Sequence, residues 1–171
     1  MKRFICLLVI FLQICLNANA ETLTFLNNTY ELEKVQKVSN NYINEYQGAS
    51  ENKIVISYLP KIESEFDYIN DFINKIGNAP TCNLISFYPE INTFSFGVIS
   101  AKKDNSIIEY NIIRCIKTKK NGINTVQYIR NYHFTDKESF KHAYDECMGN
   151  NLKYADALVK AKFPEIIKKQ K

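Results

Sequence analysis

Two histidines, His133 and His142, and three cysteines in the body of the chain, Cys82, Cys115 and Cys147, carry the chemistry of a nucleophile and its base. A thiol hydrolase needs an imidazole within hydrogen-bond reach of the sulfur and an Asp or Asn that orients the ring. The spacing argues against such a pair. His142 precedes Cys147 by five residues, outside the three- and four-residue intervals at which helical side chains meet. His133 faces away from the apolar side of its strand, so the plainer reading is a surface histidine and structural cysteines. No pair of Cys or His has the short spacing of a zinc site and Asp104-Asn105 is too sparse for a calcium loop, so no metal is expected. The five glycines are scattered and build no phosphate loop, and no other cofactor is expected.

Arg114 and Arg130 are the more informative charges. Each falls on the apolar side of a strand, where a guanidinium must pair or reach the sheet margin. The alternative is an anion-binding pocket, so Arg114, Arg130 and His133 are the candidate binding residues. Glu63, Glu65, Asp67 and Asp71 read as the wet side of a helix. The eleven tyrosines and eleven phenylalanines could form a sugar- or peptide-binding surface, but most fall on core positions.

The elements that must position these groups centre on residues 92–134. Three β-branched and aromatic runs, 92–100, 106–117 and 124–134, read as an antiparallel meander joined by short polar links, the second holding Asn121-Gly122. Phe94, Phe96 and Val98 share a face of the first run; Ile108, Tyr110, Ile112 and Ile116 share one of the second; Val126, Tyr128, Tyr132 and Phe134 share one of the third. Together they predict one strongly apolar sheet face in need of a cover. Further strands are expected at 22–26, 42–46, 53–59 and 82–88, while 30–39 suits a helix or a strand equally.

A helix follows from Ile62, Phe66, Ile69, Ile73 and Ile76, with Ser64 as its cap and Gly77 at its end. A second starts at a capping box formed by Thr135 and Glu138, carries Phe140, Ala143, Tyr144 and Cys147 on one face, and stops at Gly149. A last helical segment, 152–162, presents Leu152, Ala155, Leu158 and Val159 before Phe163-Pro164 breaks it. The expected fold is a single two-layer α+β domain with an antiparallel sheet of about six strands under two or three helices.

Lys2-Arg3, the apolar run 4–16 and Ala18-Asn19-Ala20 have the order of a secretory signal peptide over residues 1–20, with the mature domain spanning 21–171. That run is short of the roughly 20 residues of a membrane span, so none is expected after cleavage. The formal charge of +4 falls to +2 when Lys2 and Arg3 leave with the signal, too weak for a nucleic-acid binder, and the lysines at the carboxyl end read as a solvated tail. In an oxidising compartment one disulfide and one leftover thiol are expected among Cys82, Cys115 and Cys147, with Cys82 and Cys115 the favoured pair because both sit at strand ends.

Asn44-Glu45-Tyr46, followed by Gly48, Ser50 and Asn52 before Ile54, then Arg114-Cys115 and the late Cys147, resembles a family of small exported gammaproteobacterial proteins. The sequence departs from that pattern at Lys53, where tryptophan is usual, and in a shortened last hairpin. The family has no assigned function, so the resemblance implies secretion and an α+β fold and lends no catalytic residue. The expectation is an exported bacterial protein, periplasmic or secreted, acting as a non-enzymatic binding or accessory module for a protein or small-molecule ligand. The competing expectations are a secreted thiol-dependent hydrolase and a host-directed secreted factor.

Overall fold

Residues that alternate between apolar and polar pair into one eight-stranded sheet, antiparallel throughout, in the order β1-β2-β3-β4-β8-β7-β6-β5. The computed structural model describes residues 21–62, 64–79, 81–90, 93–101, 106–118 and 122–168. The segment read as an export signal, most of the two meander links and the final residues from 169 lie outside the described residues. The strands are β1 (Thr22–Phe25), β2 (Asn28–Val38), β3 (Asn41–Gln47), β4 (Lys53–Pro60), β5 (Cys82–Glu90), β6 (Thr93–Ala101), β7 (Ile107–Thr118) and β8 (Gly122–His133). Helix α1 (Glu65–Gly77) carries the chain from β4 in mid-sheet to β5 at the far edge, and α2 (Lys137–Lys160) follows β8. The α+β class and the meander stand as expected. The strand count rises to eight, with the ambiguous 30–39 segment becoming most of β2, whose Tyr30 is fully buried.

Both faces of the sheet are apolar, where one was expected. Phe96 pairs with Ile113 and Gly97 with Ile112, so Phe94, Phe96 and Val98 lie on the side opposite Ile108, Tyr110 and Ile112. Which residues share a face depends on hairpin register, and a link of unfixed length leaves that parity open. The face with Tyr30, Tyr46, Ile54, Tyr110, Ile112 and Tyr128 packs under α2; the face with Phe96, Val98, Ile113 and Ile123 packs under α1. The helices therefore cover opposite sides.

Helix α1 begins where Ser64 Oγ accepts the Asp67 amide at 3.1 Å. Its buried stripe runs through Tyr68, Ile69, Phe72 and Ile76, and Phe66 is left 70% exposed. The helix is rotated from the expected stripe of Ile62, Phe66, Ile69, Ile73 and Ile76 so that Phe72 rather than Phe66 faces the sheet, its ring centroid 4.7 Å from that of Phe96. Helix α2 is capped one residue later than expected: Asp136 Oδ1 accepts the Ser139 amide at 2.8 Å and Ser139 Oγ accepts the Asp136 amide at 3.0 Å. It then runs unbroken through Gly149, merging two expected helices into one of 24 residues. A mid-helix glycine is unfavourable by about 1 kcal/mol, and tertiary packing on both sides of it outweighs that. No helix among the described residues is long and apolar enough to cross a membrane.

A buried amide fixes α2 to the sheet. Asn151 Oδ1 accepts from Tyr110 Oη at 2.9 Å and from Ser86 Oγ at 3.2 Å, and Asn151 Nδ2 donates to Tyr88 Oη at 3.1 Å. Ser86 Oγ in turn accepts the Gly97 amide at 3.0 Å. The knot needs glycine beneath it, since a Cβ at Gly97 would stand 2.5 Å from Asn151 Oδ1 and 2.7 Å from Ser86 Oγ. Replacing Asn151 with Leu orphans the buried Tyr110 hydroxyl and the half-buried hydroxyls of Ser86 and Tyr88, and the expected loss in a urea unfolding experiment is about 2–4 kcal/mol. Gly97→Ala should lose about 1–3 kcal/mol by overpacking the same place.

Candidate binding site

Arg114, Arg130 and His133 do not converge. Arg114 and Arg130 share the α2 face, Arg114 opposite Val126 and Arg130 opposite Tyr110, about 13 Å apart along the ladder. Arg114 Nη1 donates to the carbonyls of Leu158 at 3.0 Å and Val159 at 2.9 Å, capping the carboxyl end of α2 where the helix dipole is negative. Arg130 Nη1 donates to Tyr154 Oη at 2.6 Å and Nη2 to Glu146 at 3.0 Å, with its guanidinium 4.6 Å from the Tyr132 ring centre. Both arginines thus clamp α2. His133 lies on the other face, exposed, with Nε2 at 3.2 Å from a Glu51 carboxylate oxygen.

The thiols are apart as well. Cys115 lies in the core beneath α1 and Cys147 in the core beneath α2, both essentially inaccessible, with the sheet between them. Cys82 borders the α1 core, half-buried. All three are free thiols, so the expected disulfide is corrected: Cys82 and Cys115 approach one core without bonding. Burial pushes the Cys115 thiol up from 9.0 to about 12. Cys147 rises from 9.0 to about 12 through burial, with the Glu146 carboxylate adding to it. Such groups stay protonated near neutrality and are poor nucleophiles.

The concave feature with the mixed chemistry of a ligand site lies where α2 ends. Beyond Ala161 the chain leaves the helix in an extended conformation and residues 162–168 cross the α2 face of the sheet as a strap. Phe163 packs on Phe25, ring centroids 5.9 Å apart, and Ile166 joins the core. Asn44, 0% exposed, treats Ile167 as a strand neighbour: its Oδ1 accepts the Ile167 amide at 2.7 Å and its Nδ2 donates to the Ile167 carbonyl at 3.0 Å. Lys168 ends the strap with its ammonium 5.5 Å from the Tyr42 ring centre and 5.6 Å from that of Tyr58, its cross-strand neighbour. Between strap and sheet is a cavity of about 460 Å³, floored by Ile56, Tyr58, Ile116 and Val126 and roofed by Phe163, Pro164 and Ile166. Arg114 and Lys168 line it, and so does Glu165.

A second, more polar cleft of about 450 Å³ opens beside Arg130, Lys153, Tyr154 and Asn52. Two strained turns border it, Leu26-Asn27 with φ of 51° and 62° and Ser50 with φ of 55°. Of the residues named from sequence, the structure brings Arg114 to the strap cavity and Arg130 to the polar cleft. Asn44 and the strap were missed. The signal available was Asn44 standing on one face between Tyr42 and Tyr46, a polar residue where the alternation calls for an apolar one.

At neutral pH a thiol-specific reagent should modify Cys82 first and reach Cys115 and Cys147 only on unfolding. The alkaline limit follows from the same burial. An unfolded chain releases its thiol protons near pH 9.0 while the folded one keeps them to about 12, so stability is full below pH 9 and falls as the pH climbs towards 12. Tyr46 and Tyr68, raised by burial from 10.0 to about 12, reinforce the trend, which chemical denaturation at a series of pH values will measure. No family model matches this sequence, and neither the curated proteins nor the solved structures gave a similar chain.

Proposed function

We propose that this chain is an exported, non-catalytic binding module that holds a small, partly apolar ligand between its carboxyl-terminal strap and the sheet. The observation that carries the reading is the cavity of about 460 Å³, already formed, in which isoleucine, valine and phenylalanine are interleaved with Tyr58, Arg114, Thr118, Asn124, Glu165 and Lys168. Ligand sites have this size and this mixture. The thiols, buried on opposite faces and held near 12, speak against the thiol-hydrolase alternative. Export, to the periplasm or the medium, rests on Lys2-Arg3, the apolar run 4–16 and Ala18-Asn19-Ala20, and on the resemblance to exported gammaproteobacterial proteins.

Two measurements test the halves separately. Amino-terminal sequencing of the protein recovered from an expressing bacterium should begin at Glu21, and a chain that keeps Met1 in the cytosol refutes export. The mature chain should enhance the fluorescence of anilinonaphthalene sulfonate saturably, at one site. Ile116→Trp, which fills the cavity floor, should abolish that signal while leaving the far-ultraviolet circular dichroism unchanged. A signal indifferent to Ile116→Trp refutes the cavity as the site.

A further inference from the structure

We infer that the strap cavity takes an amphipathic carboxylate, its hydrocarbon end lying over Ile56, Ile116 and Val126 and its acid group at Lys168, and that the strap is the gate, latched by Asn44. The inference rests on the cavity reading above and adds the ligand class and the route of entry.

The ligand class follows from how polarity is distributed along the cavity. Ile56, Ile116 and Val126 give its floor an apolar character that favours a hydrocarbon body. Two cations line it against the single carboxylate of Glu165. Arg114 is engaged with the Leu158 and Val159 carbonyls and contributes a fixed positive field from the end of α2. Lys168 is different: it is exposed, and among the described residues its ammonium rests on the faces of Tyr42 and Tyr58. Ring faces hold a cation without neutralising it, so an incoming carboxylate meets a full charge with its approach already defined. A neutral alcohol would gain the hydrocarbon burial and lose the ion pair. A cationic amphiphile would meet like charge.

The gate follows from how little ties the strap down. Among the described residues, the hydrogen bonds that join its backbone beyond Ala161 to the rest of the molecule are the two from the Asn44 amide to Ile167. The other described contacts of the strap are the packing of Phe163 and Ile166 and the Lys168 ring contacts. Releasing the Asn44 bonds therefore leaves the described part of the roof held by side-chain packing, able to swing about Ala161 while the arginine-held end of α2 stays fixed. Because Asn44 uses one donor and one acceptor in the pairing geometry of a strand, reclosure is register-specific.

Isothermal titration of the mature chain with decanoate, 1-decanol and decyltrimethylammonium tests the class. Decanoate should bind one to one, 1-decanol about ten-fold or more weaker, and the cation not measurably. Lys168→Met should bring decanoate down to the affinity of 1-decanol and leave 1-decanol unchanged. Equal binding of decanoate and 1-decanol overturns the carboxylate assignment while the cavity reading stands. Failure of every amphiphile, and of anilinonaphthalene sulfonate too, overturns both. For the gate, Ile167→Pro removes the amide that Asn44 accepts, at a half-buried position outside the core cluster. It should speed decanoate release about ten-fold in stopped-flow displacement, and Asn44→Ala should do the same. An unchanged release rate in a folded Ile167→Pro protein overturns the latch.

Discussion

The bond from Arg114 to the last carbonyls of α2 fixes where over the sheet the helix ends, just before Phe163-Pro164 breaks it, and the strap and its cavity follow from that placing. A helix leaves its final carbonyls without internal partners, and they must find donors or face water. Here the donor comes from the middle of β7, so the end of α2 is pinned over a fixed point of the sheet. The chain then turns out of the helix at Ala161 and has to cross the rest of the sheet as an extended segment. Were the helix to continue, its width would fill the space that the strap now spans, and no cavity would remain.

Coverage sets the second constraint. Eight strands at about 4.8 Å each make a sheet several times wider than one helix, about 10 Å across. On the α2 side the edge strand β1 brings Leu23 and Phe25 into the core, Phe25 reaching Tyr128 of β8 with ring centroids 5.3 Å apart, and the strap adds Phe163 and Ile166. On the α1 side the surplus is left wet and is polar to match. Gln36 donates to Glu45 at 2.8 Å, Gln127 to Asn111 at 2.5 Å and Asn111 to Glu109 at 3.1 Å across that face. The same strands thus carry isoleucine and tyrosine towards one side and amides towards the other.

Much of the fold was legible because strand and helix periods differ and each leaves its trace over a few residues. Ile108, Tyr110 and Ile112 name a buried face without reference to the rest of the chain. Parity across a hairpin is not local, and so the placing of Phe96 opposite Ile112's face could not be read. Gly149 misleads for a related reason: glycine ends a helix that has nothing to pack beyond it, but here Asn151, Tyr154 and Leu158 follow it in α2 and pack onto the sheet. The positions of Arg114 and Arg130 on the apolar side of their strands mark them as charges in need of partners, and in the structure both are half-buried. Their explanation is structural, a helix end and a Glu146 pair, and became visible only once α2 lay across them.

The polar residues that matter most here are two buried asparagines, and they do unlike things. Asn151 sits in a closed network of two tyrosines and a serine, where every partner is itself in a sheet strand and the whole can only be kept or lost together. Asn44 joins a rigid strand to one residue of an otherwise loosely tied segment. Breaking the first network exposes several buried polar groups at once and belongs to global unfolding. Opening the second exposes one amide side chain and one peptide group, which water entering beneath the strap can satisfy, together with the apolar contacts of Phe163 and Ile166, so it belongs to local opening rather than to global unfolding. A fold that wanted only stability would place an apolar residue at position 44 and let the strap pack greasily. An amide there gives a roof that closes in one register and opens without disturbing what lies beneath it.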